Sequence, residues 1–193
     1  MKHRPRASVA LGVAVAAMAV AMTPATAGPA GAAPEPAVKL VFDKNPSDPS
    51  NSRLLLYRKT SARGTAKYRL VAGYRAGSGT GVTDDCATGK GWMPNGDWRI
   101  RFKSRTYDGE LVKGYAVYLE DMPCTTGKRK KRTEMFIHSE MNRDGSQGGT
   151  ERRRWDGDSD YRSNGCVKLR PDHIKALFDH LASGWPTHLR VVA

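Results

Sequence analysis

The stretch Ser163-Asn164-Gly165-Cys166-Val167-Lys168-Leu169 places a cysteine in a small, flexible turn. A thiol beside Gly165 is open to a large substrate, and backbone N–H groups around a Gly-Cys turn can converge on one developing negative charge. The competing reading is a buried structural cysteine or half of a disulfide, the commoner fate of cysteines in exported chains. Just beyond, Pro171 suits the first position of a helix, and Ile174, Leu177, Phe178 and Leu181 recur at helical spacing. This predicts one amphipathic helix ending at Gly184, with its N-terminal dipole close enough to lower the thiol pKa modestly.

Upstream of that turn the patterns are those of strands. Leu54 to Tyr57 and Tyr68 to Tyr74 are short aromatic and aliphatic runs on either side of the polar segment Lys59 to Ala66, and they predict a hairpin. Gly73 to Gly91 is glycine-rich without helical period and reads as loop. Pro94-Asn95-Gly96 is a turn signal, after which Trp98, Ile100 and Phe102 alternate with polar residues as one buried strand face. Tyr115 to Glu120, Glu134 to His138 and Thr187 to Val192 are further strand candidates. The chain is therefore expected to be mainly β, with one helix on the C-terminal side of Cys166.

The N-terminus carries Lys2, Arg4 and Arg6, an apolar run from Ala7 to Met22, and Ala25-Thr26-Ala27 ahead of Gly28. These are the three parts of a secretory signal peptide, and the run is shorter than the ~20 residues of a membrane span. Residues 1–27 are assigned to it. Residues 28–52, rich in Ala, Pro and Ser with only Val38 to Phe42 as an apolar patch, read as a linker with room for one stray strand, and residues 53–193 as one domain large enough to enclose a core. The formal charge of +13 falls to +10 without the signal peptide. Outside the cell this excess favours anionic envelope polymers over nucleic acid, and the run Lys128 to Arg132 reads first as a solvated loop.

An exported chain with three cysteines pairs two and leaves one thiol over. Cys86 and Cys124 lie in loop-like surroundings and are the candidate disulfide, leaving Cys166 free. A thiol attacks as thiolate and needs a base. Of the five histidines, only His138 stands at the end of a buried-looking strand beside a long loop, the 23 residues from Glu140 to Arg162. Trp155 and Tyr161 within that loop either pack it down or contact a ligand. There is no His-Glu-x-x-His or Cys-x-x-Cys spacing, so no metal is predicted, and no nucleotide-binding fingerprint, so no cofactor is predicted.

Phe136-Ile137-His138-Ser139, the loop, and Ser163-Asn164-Gly165-Cys166-Val167 together resemble the L,D-transpeptidase family with the YkuD-type catalytic domain. Trp92-Met93-Pro94-Asn95-Gly96-Asp97-Trp98-Arg99-Ile100 is similar to that family's Pro-x-Gly hairpin, and Gly184-Trp185-Pro186-Thr187 to the turn before its last strand. The resemblance implies a YkuD-like β-sandwich and an exported enzyme that remodels peptidoglycan. Cys166 would be acylated by a tetrapeptide stem through a thioester. A neighbouring amine would resolve it into a 3→3 cross-link, or water would give L,D-carboxypeptidase activity. His138 would be the base, Ser139 its orienting neighbour, and the Gly165 and Cys166 N–H groups the oxyanion hole. Ser163, Asn164, Lys168, Trp155 and Tyr161 are the candidate substrate contacts, with Lys168 either facing a substrate carboxylate or, the commoner case, simply solvated. Peptidoglycan stem peptides and carbapenem-type inhibitors are the implied partners, and the cell wall or a periplasm-equivalent space the implied location.

The chain departs from the family pattern at Asn164, where histidine is usual, and in the length of the gap from His138 to Cys166. Asparagine can donate a hydrogen bond but cannot carry a proton. Met93 replaces the hairpin threonine. Two alternatives stay open: a wall-binding relative inactivated around Asn164, and a sortase-like transpeptidase, for which the threonine-rich approach to the cysteine is missing.

Overall fold

Apolar side chains at every second position of Val38–Asp43 (β1) put Val38, Leu40 and Phe42 into the core of a computed structural model that describes residues 35–61, 65–127 and 130–193. The signal peptide read at 1–27, the first residues of the linker, and Lys128 and Arg129 of the basic run lie outside the described residues. The strands that follow are Ser52–Lys59 (β2), Tyr68–Gly77 (β3), Gly96–Asp108 (β4), Lys113–Leu119 (β5), Met122–Pro123 (β6), Lys131–Arg132 (β7), Phe136–His138 (β8), Val167–Leu169 (β9) and His188–Val192 (β10). One helix, Pro171–His180 (α1), lies between β9 and β10.

Mainly β with one helix after Cys166 is what the sequence predicts, and in place of the expected sandwich the main strands close into a barrel. Their order is β1-β10-β4-β5-β8-β9-β3-β2, with β6 and β7 as a separate two-stranded sheet. Closure leaves no free edge among these eight strands. Two contacts are parallel, β1 with β10 and β8 with β9, and the rest are antiparallel. Trp98, Leu54, Leu56, Ile137 and Leu169 are completely enclosed inside. The apolar stripe of α1 joins this core through Ile174, Leu177 and Phe178, and the Phe178 ring meets Trp185 edge-on at 4.8 Å. Among the described residues no helix is long and apolar enough to cross a membrane.

Four local expectations need correction. The linker reading of 28–52 fails from Val38 on, because β1 pairs with both β2 and β10 and supplies Leu40 and Phe42 to the core. The stretch from Gly73, read as loop, continues β3 to Gly77. Phe102 does not share the buried face of Trp98, because a register shift between Ile100 and Phe102 turns it outward, 39% exposed. The helix stops at His180 with Leu181 as its cap, before Gly184.

Candidate active site

The two shortest main strands carry the chemistry. Phe136, Ile137 and His138 of β8 are all buried, as are Val167, Lys168 and Leu169 of β9, and the two run parallel with Ile137 opposite Val167 and His138 opposite Lys168. Side chains alternate along a strand, so His138 and Lys168 face the same way, as does Cys166, one pleat before Lys168. That face lines a cleft of about 710 Å³ holding Cys166, His138, Ser139, Lys168, Ser163 and Asn164. These are six of the candidate catalytic and substrate-contacting residues, and Gly165 does not line the cleft. Trp155 and Tyr161 do not line the cleft. Tyr161 is buried with the Arg75 guanidinium over its ring and Trp155 set edge-on against it at 4.8 Å, so both hold the 140–162 loop onto the body.

Cys166 is the free cysteine, because Cys86 and Cys124 form a disulfide. Its Sγ accepts the Phe136 N–H at 3.4 Å and lies 3.7 Å from the Glu134 carbonyl oxygen, to which the S–H donates. Burial pushes the thiol pKa up to about 11, against the pull of the Phe136 N–H and the charges of Arg132 and Lys168. The helix dipole is too far away to help. Three strand residues separate Cys166 from Arg170, the cap of α1, and at about 3.3 Å per residue the intervening chain outreaches a dipole effect confined to one turn.

His138 Nδ1 lies 3.2 Å from the Ser139 carbonyl oxygen. A carbonyl only accepts, so Nδ1 carries the proton and the lone pair falls on Nε2. The expected orienting role of Ser139 therefore belongs to its backbone; its buried hydroxyl has no hydrogen-bond partner among the described residues. Burial first and the Lys168 charge second push the His138 pKa down to about 3. Among the described residues no hydrogen bond joins His138 to Cys166, and at neutral pH the pair rests as thiol and neutral imidazole.

The turn before Cys166 is held from several sides. Ser163 Oγ accepts from the N–H groups of Gly165 at 3.1 Å and Gly79 at 3.2 Å, and donates to the Cys166 carbonyl at 2.7 Å. The Gly165 N–H is thus engaged, which corrects its assignment to an oxyanion hole in this conformation. Gly165 is needed for shape instead. Its φ is +113°, and a Cβ there would sit 1.9 Å from Arg132 Nη2. Asn164 is exposed, and its carbonyl accepts from Arg132 at 2.9 Å.

Lys168 is buried rather than presented to solvent. It makes an ion pair with Glu140 and donates to the Arg162 carbonyl at 3.0 Å, so its charge already has a carboxylate partner. Glu140 goes unnoticed in the sequence, where it reads as the first residue of the polar loop after β8. Arg132 is also missed there. It ends a basic run whose other described members, Lys130 and Lys131, are exposed, and nothing local in the sequence sets it apart.

A model of the YkuD L,D-transpeptidase catalytic domain matches residues 48–189. Among solved structures, this chain is similar to an L,D-transpeptidase from Xylanimonas cellulosilytica, at 17% identity and a TM-score of 0.37, over 82% of this chain and 62% of that one. The chain thus spans less than two thirds of that relative's length. No curated protein matches the chain at a significant level.

Proposed function

The chain belongs to the YkuD family of L,D-transpeptidase catalytic domains, and from that membership we propose that it is an exported peptidoglycan-remodelling acyltransferase acylated at Cys166. The observation that carries this reading is the single cleft shared by the one free thiol and a buried imidazole on adjoining parallel strands. Export is supported by the signal-peptide pattern and by the Cys86–Cys124 disulfide, which an oxidising compartment sustains.

In the proposed reaction Cys166 Sγ attacks the carbonyl of the third residue of a tetrapeptide stem. The thiol proton passes to His138 Nε2 and then to the leaving amine, so the terminal D-alanine departs and a thioester remains. The side-chain amine of a neighbouring stem attacks the thioester to form a 3→3 cross-link, and water attacking instead gives the L,D-carboxypeptidase product. A neutral imidazole is the form able to accept a proton, and burial keeps His138 in that form. The Cys166 N–H is the remaining backbone candidate for the tetrahedral oxyanion. The Lys168–Glu140 pair forms a fixed polar wall of the cleft, and the basic surface favours an anionic wall.

Incubating the purified protein with disaccharide-tetrapeptides tests this reading by mass spectrometry of products and protein. Loss of the terminal residue through an acyl adduct on Cys166, absent from Cys166→Ala, is expected. Unchanged tetrapeptides together with binding to isolated sacculi would instead establish the inactive wall-binding relative.

A further inference from the structure

Arg132 lies against the nucleophile's turn at the wall of the cleft and is only 3% exposed. Its guanidinium donates to four carbonyl oxygens, those of Asp85 at 2.6 Å, Asn164 at 2.9 Å, Trp92 at 3.2 Å and Gly91 at 3.3 Å. No carboxylate hydrogen-bonds to it among the described residues, and Asp84 and Asp85 act on it only at a distance. A buried cation satisfied by neutral groups alone is costly, and an apolar side chain could fill the same space. Such a charge is most easily explained where a negative charge must form beside it.

The surroundings show what would use it. Three of the carbonyls come from one loop, Asp85 to Trp92, and the fourth from Asn164 of the turn itself, so the guanidinium ties the turn to that loop. The Cys86–Cys124 disulfide and the Thr125 N–H donating to Asp85 at 3.1 Å fasten the loop in turn. From the other side Ser78 Oγ donates to the Gly165 carbonyl at 2.8 Å, completing a clamp on the residue before Cys166. The charged groups acting on the thiol are Arg132 from β7, Lys168 from β9 and Glu134 ahead of β8, with His138 on the same face of β8. Lys168 is already neutralised by Glu140, and Glu134 opposes thiolate formation, so Arg132 is the cation without a carboxylate partner among the described residues.

We propose that Arg132 is a positioning residue for Cys166: its planar fork pins the Asn164–Gly165 turn to the neighbouring loop, and its charge is the one against which the Cys166 thiolate forms. This rests on Cys166 being the nucleophile. The fork matters because guanidinium nitrogens reach several carbonyls in one plane, which an ammonium cannot do.

The test is the pH profile of iodoacetamide alkylation of Cys166 in the oxidised full chain, where the other two cysteines are blocked as a disulfide. Arg132→Gln keeps donors for the carbonyls and removes the charge. Its alkylation at pH 8 is expected to fall about tenfold, with the midpoint moved up, while circular dichroism stays unchanged. Arg132→Lys restores the charge without the fork. It is expected to return the midpoint close to that of the wild type but to lower kcat for tetrapeptide cleavage, with KM little changed. A folded Arg132→Gln protein with the wild-type profile overturns the proposal. If that variant does not fold, an Arg132→Lys protein indistinguishable from wild type in kcat overturns it, and a lowered kcat with an unshifted midpoint supports it. Alkylation needs no transpeptidase substrate, so a protein inert toward tetrapeptides still reports the role of Arg132, and failure of the proposed function is distinguishable from failure of this proposal.

Discussion

The backbone N–H of Phe136 donates to Cys166 Sγ at 3.4 Å, across the short parallel pair β8 and β9. This contact favours the thiolate, yet burial outweighs it and holds the thiol pKa at about 11. The resting site is therefore a protonated thiol beside an unprotonated imidazole, a pair that ionises when substrate arrives rather than beforehand.

The first consequence is kinetic. Alkylation of Cys166 should be slow at pH 7 and keep climbing beyond the ordinary thiol midpoint of about 8.5. Rates measured from pH 6 to pH 11 check this, and a plateau reached by pH 8 would contradict it.

Stability should carry the same signature. His138 has its folded pKa depressed to about 3, so below about 6.5 the unfolded chain binds a proton that the folded one refuses. The wild type should lose stability relative to His138→Gln as pH falls from about 6.5, at up to about 1.4 kcal/mol per pH unit. Cys166, with its folded pKa raised, works in the opposite range. The folded chain keeps a proton the unfolded one releases, so the wild type should lose ground to Cys166→Ala as pH rises above about 9. Denaturant titrations of the three proteins at pH 5, 7.5 and 10 measure both slopes.

Gly165→Ala should damage the site and the fold together. The new methyl meets Arg132 Nη2 at 1.9 Å and the Gly91 carbonyl at 2.8 Å in a left-handed backbone. A loss of about 1–3 kcal/mol is expected from strain at such a position, with further loss from the displaced guanidinium. Thermal melts should show the lower midpoint and tetrapeptide assays the lost activity.

Phe42→Ala tests where the domain begins. Phe42 is completely buried on β1, and emptying such a site costs about 3–5 kcal/mol. A variant as stable as wild type would return the Val38–Asp43 segment to the linker.

Much of this is legible in the sequence where a local pattern is long enough to repeat. The β2–β3 hairpin, the helix after Pro171 and the odd cysteine all show themselves, and parity with loop context is enough to pair Cys86 with Cys124. What stays hidden depends on distant partners. β8 and β9 are three residues each and buried throughout, too short for a period, so their parallel pairing and the barrel's closure cannot be read from either alone. Val38 to Phe42 shows as an apolar patch able to form a stray strand, but its Pro- and Ala-rich neighbourhood hides that this strand belongs to the barrel and its core. Arg132 looks like the end of a solvated run because its acceptors come from residues 32 to 47 positions away. Gly165 is expected to offer its N–H to substrate, but the Ser163 hydroxyl two residues earlier takes it.

The measurement that tests the central claim most directly is intact-protein mass spectrometry after incubation with a carbapenem. A single stable adduct on the wild type that disappears in Cys166→Ala is the predicted result, since an acylating lactam needs only the nucleophile, its base and the cleft. A wild-type protein that stays unlabelled, or a label that persists in Cys166→Ala, would contradict the assignment of Cys166 as the acylated nucleophile.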